Sequence, residues 1–329
     1  MRFPESISRK EYEQITQRSL RLFLSVDIVN STALKEEYRE KGQSWLEIAH
    51  SFYTKFPSML ASALDPNPRM FVSTPEVNPW KAIGDELVFV ARIEVMDEIP
   101  RLVDAFRSVS NRWNRDYEKS EVVVKAAAWL AGFPVANSVI PGDAPERFDF
   151  TGSSIDIGFR LCRFSSPRRF VISAELAYAL TTLEAELAGD LRYLGREPMK
   201  GVLRGRSYPV FWIDMFASPD LPAFAKIELL EERVTGASPK PVKPAETREF
   251  LREWIASTGG GISLPFPPGK ADPRFPIPEN YDEQEAAKLS EFEREFLSES
   301  GIESNDGTDP DEDVFTDFTN RLKPPKKEP

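Results

Sequence analysis

One cysteine and one histidine are all that 329 residues supply. Cys162 alone excludes an intrachain disulfide framework, and with His50 as its only companion it excludes a zinc cluster of Cys/His spacing. The cytosol is the expected compartment. Net positive charge is missing too: 42 Lys and Arg stand against 53 Asp and Glu, a formal charge of −11. Indiscriminate attraction to nucleic acid or to an anionic membrane face is therefore not expected, and any phosphate has to bind at a local site. No apolar run approaches the roughly 20 residues of a bilayer span, and MRFPESISRKEYEQ at the start has no signal-peptide core. No internal repeat is found. The length suffices for one domain of roughly 200 residues with a sizeable core, plus an appendage.

What is present falls into two textures. Residues 20 to 215 alternate apolar runs with amphipathic stretches, whereas the chain from about 217 onward is rich in Pro, Glu, Asp and Ser. LRLFLSVDIV (Leu20 to Val29) reads as a buried strand running into a polar turn at Asp27 and NST. Leu34, Tyr38, Trp45, Ile48, Phe52, Phe56 and Leu60 then recur at helical spacing, and Trp45, Phe52 and Tyr53 read as core. DPNPRMFVSTPEVNP (Asp65 to Pro79), with its prolines, reads as an irregular connection. WKAIGD and ELVFVARI (Trp80 to Ile93) flank a Gly-Asp turn and predict a hairpin with an acid at its tip. A helix over Met96 to Tyr117, a strand over Glu121 to Ala131 and a Pro/Gly-containing loop to about Asp149 follow. GSSIDIGFRLCRFSS (Gly152 to Ser166) reads as a helix whose Gly and hydroxyls offer a phosphate-friendly start. RFVIS, a short helix over Ala174 to Leu187, DLRYL and SYPVFWI close the unit.

The order strand, helix, hairpin, helix, strand predicts an α+β, ferredoxin-like fold: a mainly antiparallel sheet with helices on one face. The expected division is an N-terminal helix or arm over 1–18, a folded domain over 19–216, a helical extension over 217–258 and a Pro-rich, acidic, largely disordered tail over 259–329. In such a sheet Asp27, ending its strand, and Asp85, at the hairpin tip, converge. Hard divalent cations prefer carboxylate oxygens, and a carboxylate pair can hold two ions roughly 3.5–4 Å apart for in-line phosphoryl transfer. The amides of Ile28 to Thr32, with the hydroxyls of Ser31 and Thr32, could cradle the anionic end of a nucleotide.

Four ordered pieces, SVDIVNST (Ser25 to Thr32), WKAIGDELVF (Trp80 to Phe89), FDFTGSSIDIGFRL (Phe148 to Leu161) and MKGV (Met199 to Val202), resemble the successive motifs of class III nucleotidyl cyclases. The resemblance covers about residues 18 to 215 and implies that the domain over 19–216 is a nucleotidyl cyclase catalytic domain. It implies that Asp27, Asp85 and the Ile28 carbonyl hold two Mg²⁺ or Mn²⁺ ions and that Lys81 and Asp149 read the base. It implies further that Arg160 stabilises charge on the transferred phosphate and that Lys200 grips the terminal phosphates. The implied reaction is attack of a ribose 3′-hydroxyl on the α-phosphorus with loss of pyrophosphate, at sites shared across a homodimer. Two departures stand out: Asp156 occupies the place of the family's ribose-orienting Asn, and Asn30 the place of a small Gly.

Lys81 donates and ionised Asp149 accepts, a pattern that suits adenine, cytosine and uracil alike. Lys with Asp is the family's adenine pattern. Trp80, Glu86, Phe150 and Asp156 instead resemble the pyrimidine cyclases of bacterial anti-phage (Pycsar-type) systems, whose product is read by a separate cyclic-nucleotide-binding effector. The expectation is a cyclase of UTP, then CTP; the alternatives are an adenylate cyclase and a catalytically weak nucleotide-binding scaffold. A diguanylate cyclase would carry a different acidic signature than the IGDEL found here.

Overall fold

β1 (Ser19–Ile28) is apolar almost throughout because it is a central strand covered on both faces. Leu22, Phe23 and Leu24 are wholly excluded from solvent. It pairs antiparallel with β3 (Glu86–Ile93) on one side and β4 (Val124–Phe133) on the other. β2 (Val77–Ile83) forms the edge beyond β3. A computed structural model describes residues 16–65, 76–118, 122–141, 148–201, 203–216, 221–236, 240–259 and 263–300. The expected N-terminal arm lies outside these except for its last residues, as do Val202 and the acidic run at 304–314.

The first four strands stand in the order β2-β3-β1-β4. Helices α1 (Ser31–Glu40) and α2 (Trp45–Leu64) follow β1, and α3 (Glu98–Asp116) links β3 to β4. This is the split β-α-β-β-α-β arrangement, so the α+β, ferredoxin-like expectation holds. The sheet continues through β7 (Arg169–Ile172), β9 (Ser207–Asp214) and β8 (Leu191–Pro198). It is mixed, because β4 and β7 run parallel through Ala127↔Val171 and Ala128↔Ile172.

Strand alternation sorts the side chains into two cores. Leu22, Leu24 and Val26 of β1 and Ala126, Ala128 and Leu130 of β4 meet Phe52, Phe56, Leu102, Phe106 and Trp113 of α2 and α3. Phe23, Trp129, Ala131 and Phe133 point the other way, into a second cluster with Phe150 and Ile155. That second face is covered by a hairpin, β5 (Asn137–Pro141) with β6 (Phe148–Gly152), and by helix α4 (Ser153–Leu161). The hairpin lies where the sequence suggests only a loop, since two five-residue strands bounded by Asn and Pro carry no readable period.

Two glycines let α4 lie where it does. A Cβ on Gly158 would come within 2.2 Å of the Trp129 ring, so the helix rests flat on that indole. Gly152 has φ +136°, and a Cβ there would lie 2.5 Å from Asn137 Oδ1. Asn137 in turn accepts from the Ser154 amide at 3.0 Å and donates to Ser154 Oγ at 3.1 Å and to the Gly132 carbonyl at 2.9 Å. The expected phosphate-friendly start of α4 is corrected here: a carboxamide sixteen residues upstream already caps it.

After β9 the chain returns over the domain. α6 (Ala223–Thr235) is held at the start of β7 by Glu228 and Glu232 against Arg168 and Arg169, and α7 (Pro244–Gly259) packs on α5 (Ala174–Thr182), burying Leu251, Trp254 and Ile255. Residues 263–280 form no regular helix or strand, yet Phe266 and Phe275 are buried in the main core. Tyr281, opening α8 (Tyr281–Ser300), donates its hydroxyl to the Phe133 carbonyl at 3.1 Å, and Arg18 pairs with Asp282 and Glu285.

Candidate active site

Register brings the acids together. Asp27 sits next to last in β1, opposite Glu86 on β3 and Lys125 on β4. Gly84 and Asp85 form the two-residue turn between Ile83 and Glu86, with Gly84 at φ +67°, a conformation glycine adopts without steric cost. The Ile28 amide donates to the Asp85 carbonyl at 3.3 Å and so ties the turn to the end of β1. Tyr53, on α2, donates its hydroxyl to the Gly84 carbonyl. Burial and the nearby Asp85 charge push that hydroxyl upward from its ordinary range, so it stays protonated.

Asp27 carries the electrostatic mark of the site. Burial raises its carboxyl to about 6, the charge of Asp85 adds to the rise, and Lys125 opposes it from 3.1 Å. Asp85 has its own cation, Lys35 of α1, at 3.6 Å. Two carboxylates and the Ile28 carbonyl offer hard oxygen donors, and the raised Asp27 records a charge demand that the lysines leave unmet, so the residues fit a divalent cation. Among the described residues no group of three or more His, Cys, Asp or Glu side chains is arranged to hold a metal ion. Such an ion would therefore take further ligands from phosphate oxygens, a habit of Mg²⁺.

Asn30 precedes α1 at φ 53°, in the left-handed region, and its side chain makes no capping bond. Asn tolerates that conformation, which accounts for its standing where a Gly is usual. Ser31 is buried and Thr32 exposed at the first turn of the helix.

Lys81 of β2 and Asp149 of β6 do meet: Nζ lies 2.7 Å from Oδ1 and 2.9 Å from Oδ2. Asp149 Oδ1 also accepts from the Phe150 amide at 2.8 Å, which fixes the carboxylate. The bulky neighbours point beneath this pair. The Trp80 ring packs 5.2 Å from Phe23 and 5.1 Å from Phe150. Lys81 Nζ lies 4.6 Å from its centroid. Glu86 accepts from Ser25 Oγ at 2.6 Å, beside Cys162, whose thiol burial and Glu86 push up to about 12.

Arg160 is held by backbone. Its Nε donates to the Lys200 carbonyl at 2.8 Å and its Nη1 to the Asp156 carbonyl at 2.8 Å. Asp156 Oδ1 is 3.9 Å from Nη1 and its side chain is 61 % exposed, so it faces outward without locking the guanidinium. Among the described residues no hydrogen bond or ion pair joins the acidic pair to Lys81, Asp149, Arg160 or Lys200. One chain thus presents the Asp27–Asp85 pair, the Lys81–Asp149 pair and the backbone-held Arg160.

Sequence reasoning missed Lys125, Lys35 and Tyr53. The signal for Lys125 was present, a lone charge within the apolar VVVKAAAWLA. α3 aims it: Asn114 clamps Val124 by donating to its carbonyl at 2.8 Å and accepting from its amide at 2.6 Å. Lys35 had no signal among the charges of its helix.

No protein-family model matches the chain, and no curated protein matches it. Solved structures do. The adenylyl cyclase CyaB from P. aeruginosa is 15 % identical, with 62 % of this chain and 98 % of that chain covered and a TM-score of 0.46. The guanylyl cyclase Cya2 is 12 % identical, with 63 % and 98 % covered and a TM-score of 0.43. A bacterial light-regulated adenylyl cyclase is 12 % identical, with 66 % and 98 % covered and a TM-score of 0.41.

Proposed function

We propose that the protein is a nucleotidyl cyclase that converts UTP, and less readily CTP, into the 3′,5′-cyclic nucleotide and pyrophosphate. The observation that carries the reading is the convergence of Asp27 and Asp85 at one strand end, with the Asp27 carboxyl raised by burial and by the Asp85 charge despite Lys125. Asp27, Asp85 and the Ile28 carbonyl would hold two Mg²⁺ or Mn²⁺ ions, which when bound supply charge neutralisation to the triphosphate and acidity to the ribose hydroxyl.

The chain's own groups divide the remaining tasks. Ser31 and Thr32, at an uncapped helix start, bind phosphate oxygens, and Lys200 takes the terminal phosphates. Arg160, its fork oriented by two carbonyls, meets the charge that grows on the α-phosphoryl as O3′ bonds to phosphorus and the bond to the β-phosphate breaks. The hydroxyl proton leaves to solvent. Asp156, exposed and not locked to Arg160, accepts from ribose hydroxyls. Lys81 donates to uracil O4 while Asp149 accepts from N3–H, the two already 2.7 Å apart. Trp80 and Phe150 fill the space under that pair, which favours a one-ring base over a two-ring base.

The family resemblance implies a homodimer in which each site draws on both copies. Among the described residues no helix is long and apolar enough to cross a membrane. A cytosolic second messenger of anti-phage defence, read by a separate cyclic-nucleotide-binding effector, is the role that suits this reaction.

Incubating the full chain with each of the four nucleoside triphosphates and Mn²⁺, and identifying the cyclic product by mass, tests the proposal. Cyclic UMP is expected to dominate. Dominant cyclic AMP rejects the pyrimidine reading in favour of an adenylate cyclase, for which the Lys81–Asp149 pair is equally suited. Nucleotide binding with no cyclic product leaves a scaffold.

A further inference from the structure

Helix α6 has two faces of opposite character. Inward, Glu232 is 4 % exposed and accepts from Arg168 Nη1 at 2.6 Å and Arg169 Nη2 at 3.1 Å. Arg168 also grips Asp214 through Nε and Nη2, at 3.1 and 2.7 Å, and Ser166 donates to Glu228 at 2.9 Å. This polar face fixes the helix to the domain. Outward stand Ile227, Leu230 and Val234, 66 %, 47 % and 87 % exposed. Three of the eight large apolar side chains exposed among the described residues thus lie on one thirteen-residue helix. Their spacing of three and four makes a continuous stripe, and nothing in the mounting of α6 requires it.

We propose that this stripe is a seam between two copies of the chain, with α6 packed parallel to its counterpart about a two-fold axis. The flanking charges select both the occupant and the direction. Lys226 borders the stripe on one side and Glu231 on the other, five residues apart. In a parallel pairing with Ile227 and Val234 at one core position and Leu230 at the other, Lys226 meets the partner's Glu231, and symmetry repeats the pair. An antiparallel pairing would set Lys226 against the partner's Arg233, like charge on like. The helix is only about 20 Å long at 1.5 Å per residue. The seam therefore supplements a larger contact, and in that respect it rests on the two-subunit reading above.

Sedimentation of the full chain tests the seam. Leu230→Glu is expected to raise the dimer dissociation constant roughly tenfold or more. Lys226→Glu and Glu231→Lys are each expected to raise it, and their combination to restore it. Leu230→Cys is expected to cross-link under mild oxidation, while the wild type, whose lone Cys162 is half-buried with its thiol held protonated, does not. Circular dichroism checks that each variant is folded, which the exposure of these positions favours. An unchanged dissociation constant for Leu230→Glu, or no cross-link in a dimeric Leu230→Cys, overturns the seam and means that another segment or another protein covers the stripe. A monomeric wild type overturns it too. Cyclic product formed by a Leu230→Glu protein without the seam leaves the cyclase reading standing; cross-linked dimers with no cyclic product from any nucleotide support the seam and reject the cyclase reading instead.

Discussion

Asp27→Asn is expected to make the metal-free protein more stable at pH 7 while abolishing its response to Mn²⁺. The Asp27 carboxyl sits at about 6 against 3.8 for the free side chain, with burial the main cause. Because the folded state holds the proton more tightly than the unfolded chain, folding stability falls as pH rises from about 4 to 6 and stays reduced above that. Two pKa units correspond to about 3 kcal/mol at full effect, and solvent screening of a carboxyl that is a quarter exposed trims this to about 1–2 kcal/mol. Asn, neutral at every pH, removes that penalty. Cation binding needs the ionised form, so apparent Mn²⁺ affinity should be about elevenfold below its limit at pH 5 but within about a tenth of it at pH 7. Urea unfolding at pH 4.5 and 7 without metal, and calorimetric Mn²⁺ titrations from pH 5 to 8, measure both effects. A Mn²⁺ affinity that is flat from pH 5 to 7, with no gain in stability for Asp27→Asn at pH 7, would refute the charge-demand argument.

Arg160→Ala should lower kcat by about 10²–10³ with little change in KM, since its charge is wanted only as the α-phosphoryl reacts. Mixing it with Asp27→Ala protein should restore part of the activity, and no restoration would argue that each chain holds a complete site. Tyr53→Phe removes the hydroxyl bond to the turn carrying Asp85; kcat should fall several-fold while stability changes by no more than about 1 kcal/mol in urea unfolding. Gly158→Ala drives a methyl into the Trp129 ring and should cost about 1–3 kcal/mol of stability in the same assay. An Ala variant as stable as the wild type would mean that α4 does not rest on that indole.

What the sequence made legible was local. The apolar run of β1, the Gly-Asp turn and the helical periods each state their own conformation within a few residues, and the order of those elements leaves few sheet topologies. Asp27 beside Asp85 followed from that topology, and Lys81 with Asp149 from the family resemblance. What stayed hidden depends on register and distant partners. Lys125 faces Asp27 only because β4 pairs with β1 at one of several possible offsets, and a shift of one residue would turn it to the other face. Asn137 caps α4 from a hairpin too short to announce itself. Phe266 and Phe275 lie in a Pro-rich stretch whose composition reads as unstructured, yet an irregular backbone can still bury aromatic side chains. For α6 the pattern signals a helix, but which face meets the domain is decided by Arg168, more than fifty residues earlier.

The ion pairs around the site differ in kind from those that hold the fold, and the difference bears on turnover. Arg168 is 3 % exposed and meets Asp214 and Glu232, themselves 11 % and 4 % exposed, so breaking that network strands buried charge. Lys125–Asp27, Lys35–Asp85 and Lys81–Asp149 are all between 24 % and 38 % exposed on both sides. Pairs of that exposure are worth about 0–1 kcal/mol and open without a large penalty. Asp27, Asp85 and Asp149 each therefore stand beside a lysine that they can release. A base edge entering between Lys81 and Asp149 satisfies both as well as they satisfy each other. On the proposed reading, a divalent cation beside Asp27 and Asp85 would carry the same two positive charges as the ammonium groups now at 3.1 and 3.6 Å, but on one small hard centre, and would leave those ammoniums for phosphate.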